Sequence, residues 1–143
     1  MIRIMLVEDH TVVREALRGM LEREPDMQIV AEAGDGESAL RLAREVAPEV
    51  VVMDISLPGL DGIEATRRLL AGNPAIKVLA LSTYRDRRVI QQILNAGAAG
   101  YVVKSAAGAE LRRGIRAVVE GRGFLCADAD EAAVADLDLL HDR

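Results

Sequence analysis

Short apolar runs alternate five times with segments whose apolar residues recur at helical spacing. The apolar runs predict strands over residues 2–7, 27–33, 50–54, 76–81 and 100–103. The segments between and after them predict helices over residues 11–23, 37–46, 61–71, 86–96 and 106–120. In the first helical segment, for example, Val13, Leu17, Met20 and Leu21 share one face.

Strictly alternating strands and helices predict an α/β fold with a parallel sheet covered by helices on both faces. The strands are almost continuously apolar, as expected when both faces of a sheet are buried. Right-handed crossovers limit the topology to a few doubly wound strand orders. We expect one folded domain over residues 1–123, followed by a linker or tail over 124–143 that is partly disordered or helical.

Charge is distributed unevenly along the chain. Six acidic side chains but a single basic one, Arg143, follow residue 125, so the whole net charge of −5 lies in the tail. No basic stripe marks a nucleic-acid surface. Cys126 is the only cysteine, which excludes an internal disulfide or a cysteine-based zinc site. No apolar run approaches the ~18 residues of a membrane helix. We expect a cytoplasmic protein with no membrane contact.

Polar side chains follow four of the five predicted strands. Glu8 and Asp9 follow the first strand, Asp54 ends the third, Ser82 follows the fourth, and Lys104 follows the fifth. In an open α/β sheet, ligands bind outside the carboxyl ends of the strands. Three carboxylates at one edge would repel one another unless a cation joined them, and such oxygen ligands suit Mg²⁺.

Each of these residues has an ordinary structural alternative. An isolated acid after a strand is more often a helix cap or a turn residue, and Asp61 is predicted to cap the third helix in this way. Gly97 is predicted to end the fourth helix. The combination at four strand ends is harder to explain by capping alone, so a functional site is favoured there.

The segments "IMLVEDH", "VVMDISLPGLDGIEA", "VLALSTY" and "AGAAGYVVKSA" resemble, in order and spacing, the receiver domain of two-component response regulators. The resemblance covers residues 1–123 and is closest to the NarL/FixJ type. It implies a flavodoxin-like fold, with a five-stranded sheet in the order 2-1-3-4-5 and five flanking helices.

The resemblance also implies a role for each polar residue at the strand ends. Asp54 would accept a phosphoryl group from a sensor histidine kinase. Mg²⁺ would be held by Asp9, Asp54 and the backbone carbonyl of Ser56, with Glu8 acting through a metal-bound water.

The remaining implied residues concern charge and switching. Lys104 would pair with Asp54 at rest and with the phosphoryl group afterwards. Ser82 would hydrogen-bond a phosphoryl oxygen, and the rotamer of Tyr101 would follow Ser82. Ser105 stands where many receivers have proline, which leaves the peptide geometry after Lys104 open.

The resemblance implies an output as well as a site. Receivers of this type form homodimers on phosphorylation and act on DNA through a C-terminal domain. No helix-turn-helix pattern follows residue 123, so this chain is expected to be an isolated receiver or a stand-alone regulator of a protein partner.

Two other functions remain open. A haloacid-dehalogenase-like phosphohydrolase also uses an aspartate at a strand end with Mg²⁺, but that class has a second aspartate where this chain has Ser56. A degenerate receiver would act as a binding module without phosphorylation. We expect a regulatory phosphoacceptor that is not an enzyme toward other substrates.

Overall fold

A computed structural model of the chain describes residues 1–83 and 87–126. The strands are β1 (Ile2–Val7), β2 (Met27–Ala33), β3 (Val50–Asp54), β4 (Lys77–Ser82), β5 (Gly100–Val103) and β6 (Phe124–Leu125). The helices are α1 (Thr11–Glu22), α2 (Gly36–Val46), α3 (Gly62–Gly72), α4 (Arg87–Asn95) and α5 (Ala107–Val119), with a 3₁₀ turn over Lys104–Ala106.

The strands form one parallel sheet in the order β2-β1-β3-β4-β5-β6. This confirms the predicted order for the first five strands, but the sheet has one more strand than predicted. Phe124 and Leu125 form β6, and Cys126 beyond them is buried. Residues 124–126 thus lie against the sheet that the preceding residues form, and the predicted domain boundary after residue 123 stays a prediction. The rest of the predicted tail lies outside the described residues.

The continuous apolar strands supply two cores, one on each face of the sheet. Alternate residues of a strand point to opposite faces. In β3, Val51 and Met53 join the core beneath α2, α3 and α4, whereas Val50 and Val52 join the core beneath α1 and α5. A strand buried on both faces has no side that contacts water and needs polar residues. This explains why the strand segments of the sequence are almost uniformly hydrophobic.

Local signals fix several helix ends. Asp35 and Asp61 each accept a hydrogen bond from a backbone N–H of the first turn, at 2.7 Å from Ser38 N and 2.9 Å from Glu64 N. The predicted cap at Asp61 is thereby confirmed. Gly97 follows α4 with φ of 106°, a conformation that favours glycine, as expected for its predicted role. The predicted start of α4 at residue 86 lies outside the described residues.

Gly62 positions the carboxyl end of β3. It is the first residue of α3, and its backbone N–H donates to the carbonyl of Ile55 at 3.2 Å. A Cβ atom at this position would overlap the carbonyl oxygen of Asp54 and lie 2.7 Å from Ile55 Cα. Only a residue without a side chain allows α3 to begin this close to Asp54.

We predict that Gly62→Ala destabilises the fold by about 2 kcal/mol, because backbone atoms cannot move away from the added methyl group without strain. The matched control is Gly19→Ala, at an exposed position inside α1 where a Cβ atom would have no neighbour within 4 Å. That change should stabilise the fold by about 0.5–1 kcal/mol through helix propensity. Urea denaturation measures both, and equal effects of the two changes would contradict this account of Gly62.

Candidate functional site

The parallel register brings four strand ends to one edge of the sheet. Val7 of β1 pairs with Met53 of β3, so the residues that follow, Glu8 and Asp54, are adjacent. The next pair, Asp54 with Leu81, leaves Ser82 one residue further along β4. The 3₁₀ turn that follows β5 begins with Lys104. The sequence-predicted convergence of these side chains is what the structure shows.

Lys104 lies between two buried carboxylates. Its Nζ is 3.2 Å from Asp54 Oδ2 and 3.0 Å from Glu8 Oε1. Both carboxylate side chains are only 1% exposed, whereas the lysine side chain is 22% exposed. The contact with Asp54 matches the pairing that the sequence suggested. The contact with Glu8 was not anticipated, and it means that one ammonium group serves both acids.

Backbone groups fix the remaining carboxylate oxygens. The N–H of Ser56 donates to Asp54 Oδ1 at 3.0 Å, and the N–H of His10 donates to Glu8 Oε2 at 3.2 Å. Arg14 of α1 donates from Nη1 to the backbone carbonyl of Glu8 at 2.7 Å. These contacts hold the acids in place but leave their charge only partly compensated.

The electrostatics of the pair are unequal. Burial raises the pKa of Asp54 to about 6, and the neighbouring Glu8 also raises it. The hydrogen bond from Ser56 N–H and the charge of Lys104 lower this pKa but do not outweigh burial. Burial also opposes ionisation of Glu8, but the His10 N–H, Asp54 and Lys104 together lower its pKa to about 2. Burial opposes the charge on Lys104 too, yet the two acids raise its pKa. The site therefore holds more negative charge than its one cation neutralises.

Asp9 completes an acidic cluster beside this pair. Its side chain is 26% exposed, and His10 Nδ1 lies 3.3 Å from both Asp9 Oδ1 and Glu8 Oε2. Ligand atoms of Glu8, Asp9 and His10 all lie within 4.8 Å of one another. Asp9 Oδ1 is a buried atom that receives no hydrogen bond from the described residues. A buried carboxylate oxygen without a donor fits a cation site.

Ser82 and Tyr101, the predicted switch residues, lie on neighbouring strands. Ser82 pairs with Val103 and Tyr101 pairs with Ala80, so the two positions are offset by two residues. Both side chains are fully buried. Tyr101 therefore has its ring inside the fold in this structure. The peptide bond between Lys104 and Ser105, left open by the sequence, is trans.

Two contributors to the site were missed from the sequence. His10 was not among the predicted site residues, yet its backbone and its ring both contact the acids. Arg14 carried no recognisable signal beyond its position one turn into α1. Its contact with the Glu8 carbonyl depends on how α1 packs against β1, which the local pattern does not specify.

Comparison with known proteins shows which family the chain belongs to. Residues 4–116 match the family described as the response regulator receiver domain. The chain belongs to this family. The receiver domain is 42% identical to the response regulator GacA of Pseudomonas viridiflava. The alignment of 125 residues covers 87% of this chain and 58% of that protein. It is 38% identical over 121 residues to the transcriptional regulatory protein LiaR of Bacillus subtilis, covering 85% of this chain and 57% of that protein.

The same relationship appears in solved structures. A two-component response regulator of the LuxR family from Aurantimonas superposes with a TM-score of 0.89 at 42% identity, covering 96% of this chain and 97% of that one. The relatives are regulators of the NarL/FixJ type. The receiver domain spans less than two thirds of the length of the curated relatives it matches, at 58% of GacA.

Members of the family bind Mg²⁺ at an acidic pocket, and this structure has an acidic cluster at Glu8, Asp9 and His10. Among the described residues, no helix is long and apolar enough to cross a membrane.

We predict that Lys104→Met lowers the free energy of unfolding by about 3 kcal/mol in metal-free buffer, because it leaves two buried carboxylates without their shared cation. The matched control is Arg18→Met, which removes exposed ion pairs with Glu22 and Glu32 and should cost much less, because water and salt screen exposed pairs.

Adding Asp54→Asn to Lys104→Met should restore part of the lost stability, because the double variant buries one carboxylate fewer. Urea denaturation in the presence of a chelator measures all four proteins. If Lys104→Met costs no more than Arg18→Met, Lys104 does not compensate the buried acids.

Proposed function

We propose that Asp54 accepts a phosphoryl group from a sensor histidine kinase and that this changes the state of the receiver. The observation that carries the proposal is the setting of the Asp54 carboxylate. It is buried, its Oδ1 is fixed by Ser56 N–H, and its Oδ2 lies 3.2 Å from Lys104 Nζ. A carboxylate kept in such a costly position, with a cation at its free oxygen, suits a nucleophile that must accept further negative charge.

The proposed reaction is an in-line displacement at phosphorus. A carboxylate oxygen of Asp54 forms the new P–O bond while the P–N bond of the phosphohistidine breaks, and the imidazole leaves with the electron pair of that bond. Little covalent help is required from the protein, so positioning and positive charge carry the catalysis. Lys104 supplies a fixed positive charge, for which an ammonium group is adequate.

The proposed metal ligands are Asp9, Asp54 and the backbone carbonyl of Ser56, with Glu8 acting through a water. Bound Mg²⁺ supplies positive charge to the oxygens of the phosphoryl group. The donor set supports this assignment, since it offers carboxylate and carbonyl oxygens and a buried Asp9 oxygen without a hydrogen-bond donor. The excess negative charge around Lys104 gives the same site an electrostatic reason to take up a cation.

The rival functions find less support. A haloacid-dehalogenase-like hydrolase needs a second carboxylate where this chain has Ser56, and Ser56 contributes its backbone N–H to Asp54 instead. A receiver without phosphorylation would not require Asp54 and Lys104 to be held together at the cost of burial. We therefore propose a regulatory phosphoacceptor rather than an enzyme acting on other phosphoesters.

The proposed switch links Asp54 to Tyr101. Oxygens of a phosphoryl group on Asp54 would draw the Ser82 hydroxyl toward them, which favours the inward position of the Tyr101 ring. A bias of a few kcal/mol is enough to shift the populations of two such states. The burial of both side chains on neighbouring strands supports this proposed coupling.

The proposed output is transcriptional. GacA and LiaR are named as a response regulator and a transcriptional regulatory protein, and this receiver covers little more than half of each. We propose that phosphorylation promotes a homodimer and that DNA is contacted through a domain outside this chain. A stand-alone receiver acting on a protein partner is the alternative. The cytoplasmic location expected from the sequence remains a prediction.

We predict that acetyl phosphate with Mg²⁺ adds one phosphoryl group to the protein and none to Asp54→Asn. The matched control is Asp61→Asn, which changes a nearby carboxylate that caps α3 and should leave labelling intact. Intact-mass analysis measures the added group. Full labelling of Asp54→Asn would show that another residue is the acceptor.

We predict that Asp9→Asn weakens Mg²⁺ binding at least about tenfold, which corresponds to about 1.4 kcal/mol for a lost charged ligand. Isothermal titration calorimetry measures the affinity. The control is Asp26→Asn, which alters an exposed acid paired with Arg116 and should leave Mg²⁺ affinity unchanged. An unchanged affinity in Asp9→Asn would remove Asp9 from the metal site.

A further inference from the structure

The segment after α5 folds back over the outer side of β5. Residues 124–126, here called the strap, pair with β5 through Gly100 with Phe124 and Tyr101 with Leu125. The N–H of Cys126 donates to the backbone carbonyl of Tyr101 at 3.0 Å. The strap is thus joined directly to the strand that carries the proposed switch residue.

Two glycines form the seat of the strap. A Cβ atom on Gly100 would lie 2.7 Å from the carbonyl oxygen of Phe124, and one on Gly114 would lie 2.9 Å from Cδ2 of the Phe124 ring. Any side chain at either position would push Phe124 away. The strap therefore fits a recess that the sheet and α5 leave open for it.

The strap also covers part of the core that surrounds Tyr101. Cys126 is 1% exposed and belongs to the same apolar cluster as Tyr101, together with Ile90 of α4, and Leu125 packs against this cluster. Without the strap, β5 would be the edge strand of the sheet. Tyr101 is fully buried on that strand, and the strap is the element next to it on this side of the sheet.

The strap is nevertheless a small element. Its strand has two residues, and Phe124 and Leu125 are only half-buried. Short elements with few buried contacts open more readily than the core they cover. A tyrosine ring that turns outward would leave the apolar cluster that it shares with Cys126 and Leu125, so the position of the ring and the seating of the strap should change together.

We infer that residues 124–126 form a strap whose seating on β5 follows the phosphorylation state of Asp54, through Ser82 and Tyr101. The inference rests on the proposed function, because it requires a phosphoryl group on Asp54. A phosphoryl group that favours the inward ring keeps the strap seated. In the unmodified protein the inward ring seen here lacks this support, so the ring turns outward, and the strap opens, more often than in the phosphorylated protein.

Cys126 provides the measurement, because it is the only cysteine of the chain and is the buried last residue of the strap. A thiol reagent such as dithiobis-nitrobenzoate reacts only when the strap opens, so its rate reports the open population. The experiment uses the full chain with Mg²⁺, with and without beryllofluoride as the phosphoryl mimic. We expect the mimic to slow labelling of Cys126 about tenfold, a population shift of about 1.4 kcal/mol.

Three variants identify the route. Asp54→Asn should show the faster rate under both conditions, because it lacks the acceptor. Ser82→Ala should bind the mimic, seen by ¹⁹F NMR, but lose most of the effect on labelling. Phe124→Ala removes the ring from its glycine seat and should react quickly in both states while still binding the mimic, which shows that its site remains folded.

The failures are distinguishable. A parent protein that binds beryllofluoride by ¹⁹F NMR, yet labels at an equal or faster rate, would overturn the coupling of the strap and leave the proposed function standing. A Ser82→Ala variant that keeps the full effect would overturn the proposed route. Absence of a bound ¹⁹F signal in the parent would overturn the proposed function itself, and the inference with it.

Discussion

Two carboxylates buried side by side at the carboxyl end of a parallel sheet, with one ammonium group between them, set the conditions for the rest of this structure. Glu8 and Asp54 are both almost inaccessible to water, and Lys104 reaches each of them. Two ionised acids in such a position are unfavourable unless they are paired and hydrogen-bonded. The surrounding backbone N–H groups and the lysine reduce that cost without removing it, so the site retains an affinity for positive charge.

The backbone around this pair holds the two carboxylates at the edge of the sheet while keeping them buried. Ser56 N–H fixes Asp54 from the loop after β3, and Gly62 lets α3 begin against the Asp54 carbonyl. The Asp61 cap satisfies the first turn of α3 at the same place. These contacts join the strand end, the loop and the helix start around Asp54, which suits its proposed role as a nucleophile that has to be aimed at an incoming group.

The proposed switch lies further along the sheet and has the opposite requirement, because it has to move. Ser82 and Tyr101 are packed inside the fold, but among the described residues the outer side of the Tyr101 strand is covered by the short segment 124–126. A short segment with few buried contacts opens more readily than the centre of the sheet, which gives the proposed switch a place where the fold can change. The proposed site thus lies at the centre of the sheet, and the proposed switch lies toward the end that the short strand β6 covers.

The sequence by itself determined the order of strands and helices, the caps at Asp61 and Gly97, and the set of polar residues at the strand ends. These are local signals: an apolar run, an acid before a helix and a glycine after one each act through neighbouring residues. Only the tertiary structure decided that Lys104 serves Glu8 as well as Asp54, that Arg14 reaches the Glu8 carbonyl, and that Phe124 fits between Gly100 and Gly114. Each of these contacts joins different elements of the fold, so it depends on how strands and helices pack and not on the pattern within any one of them.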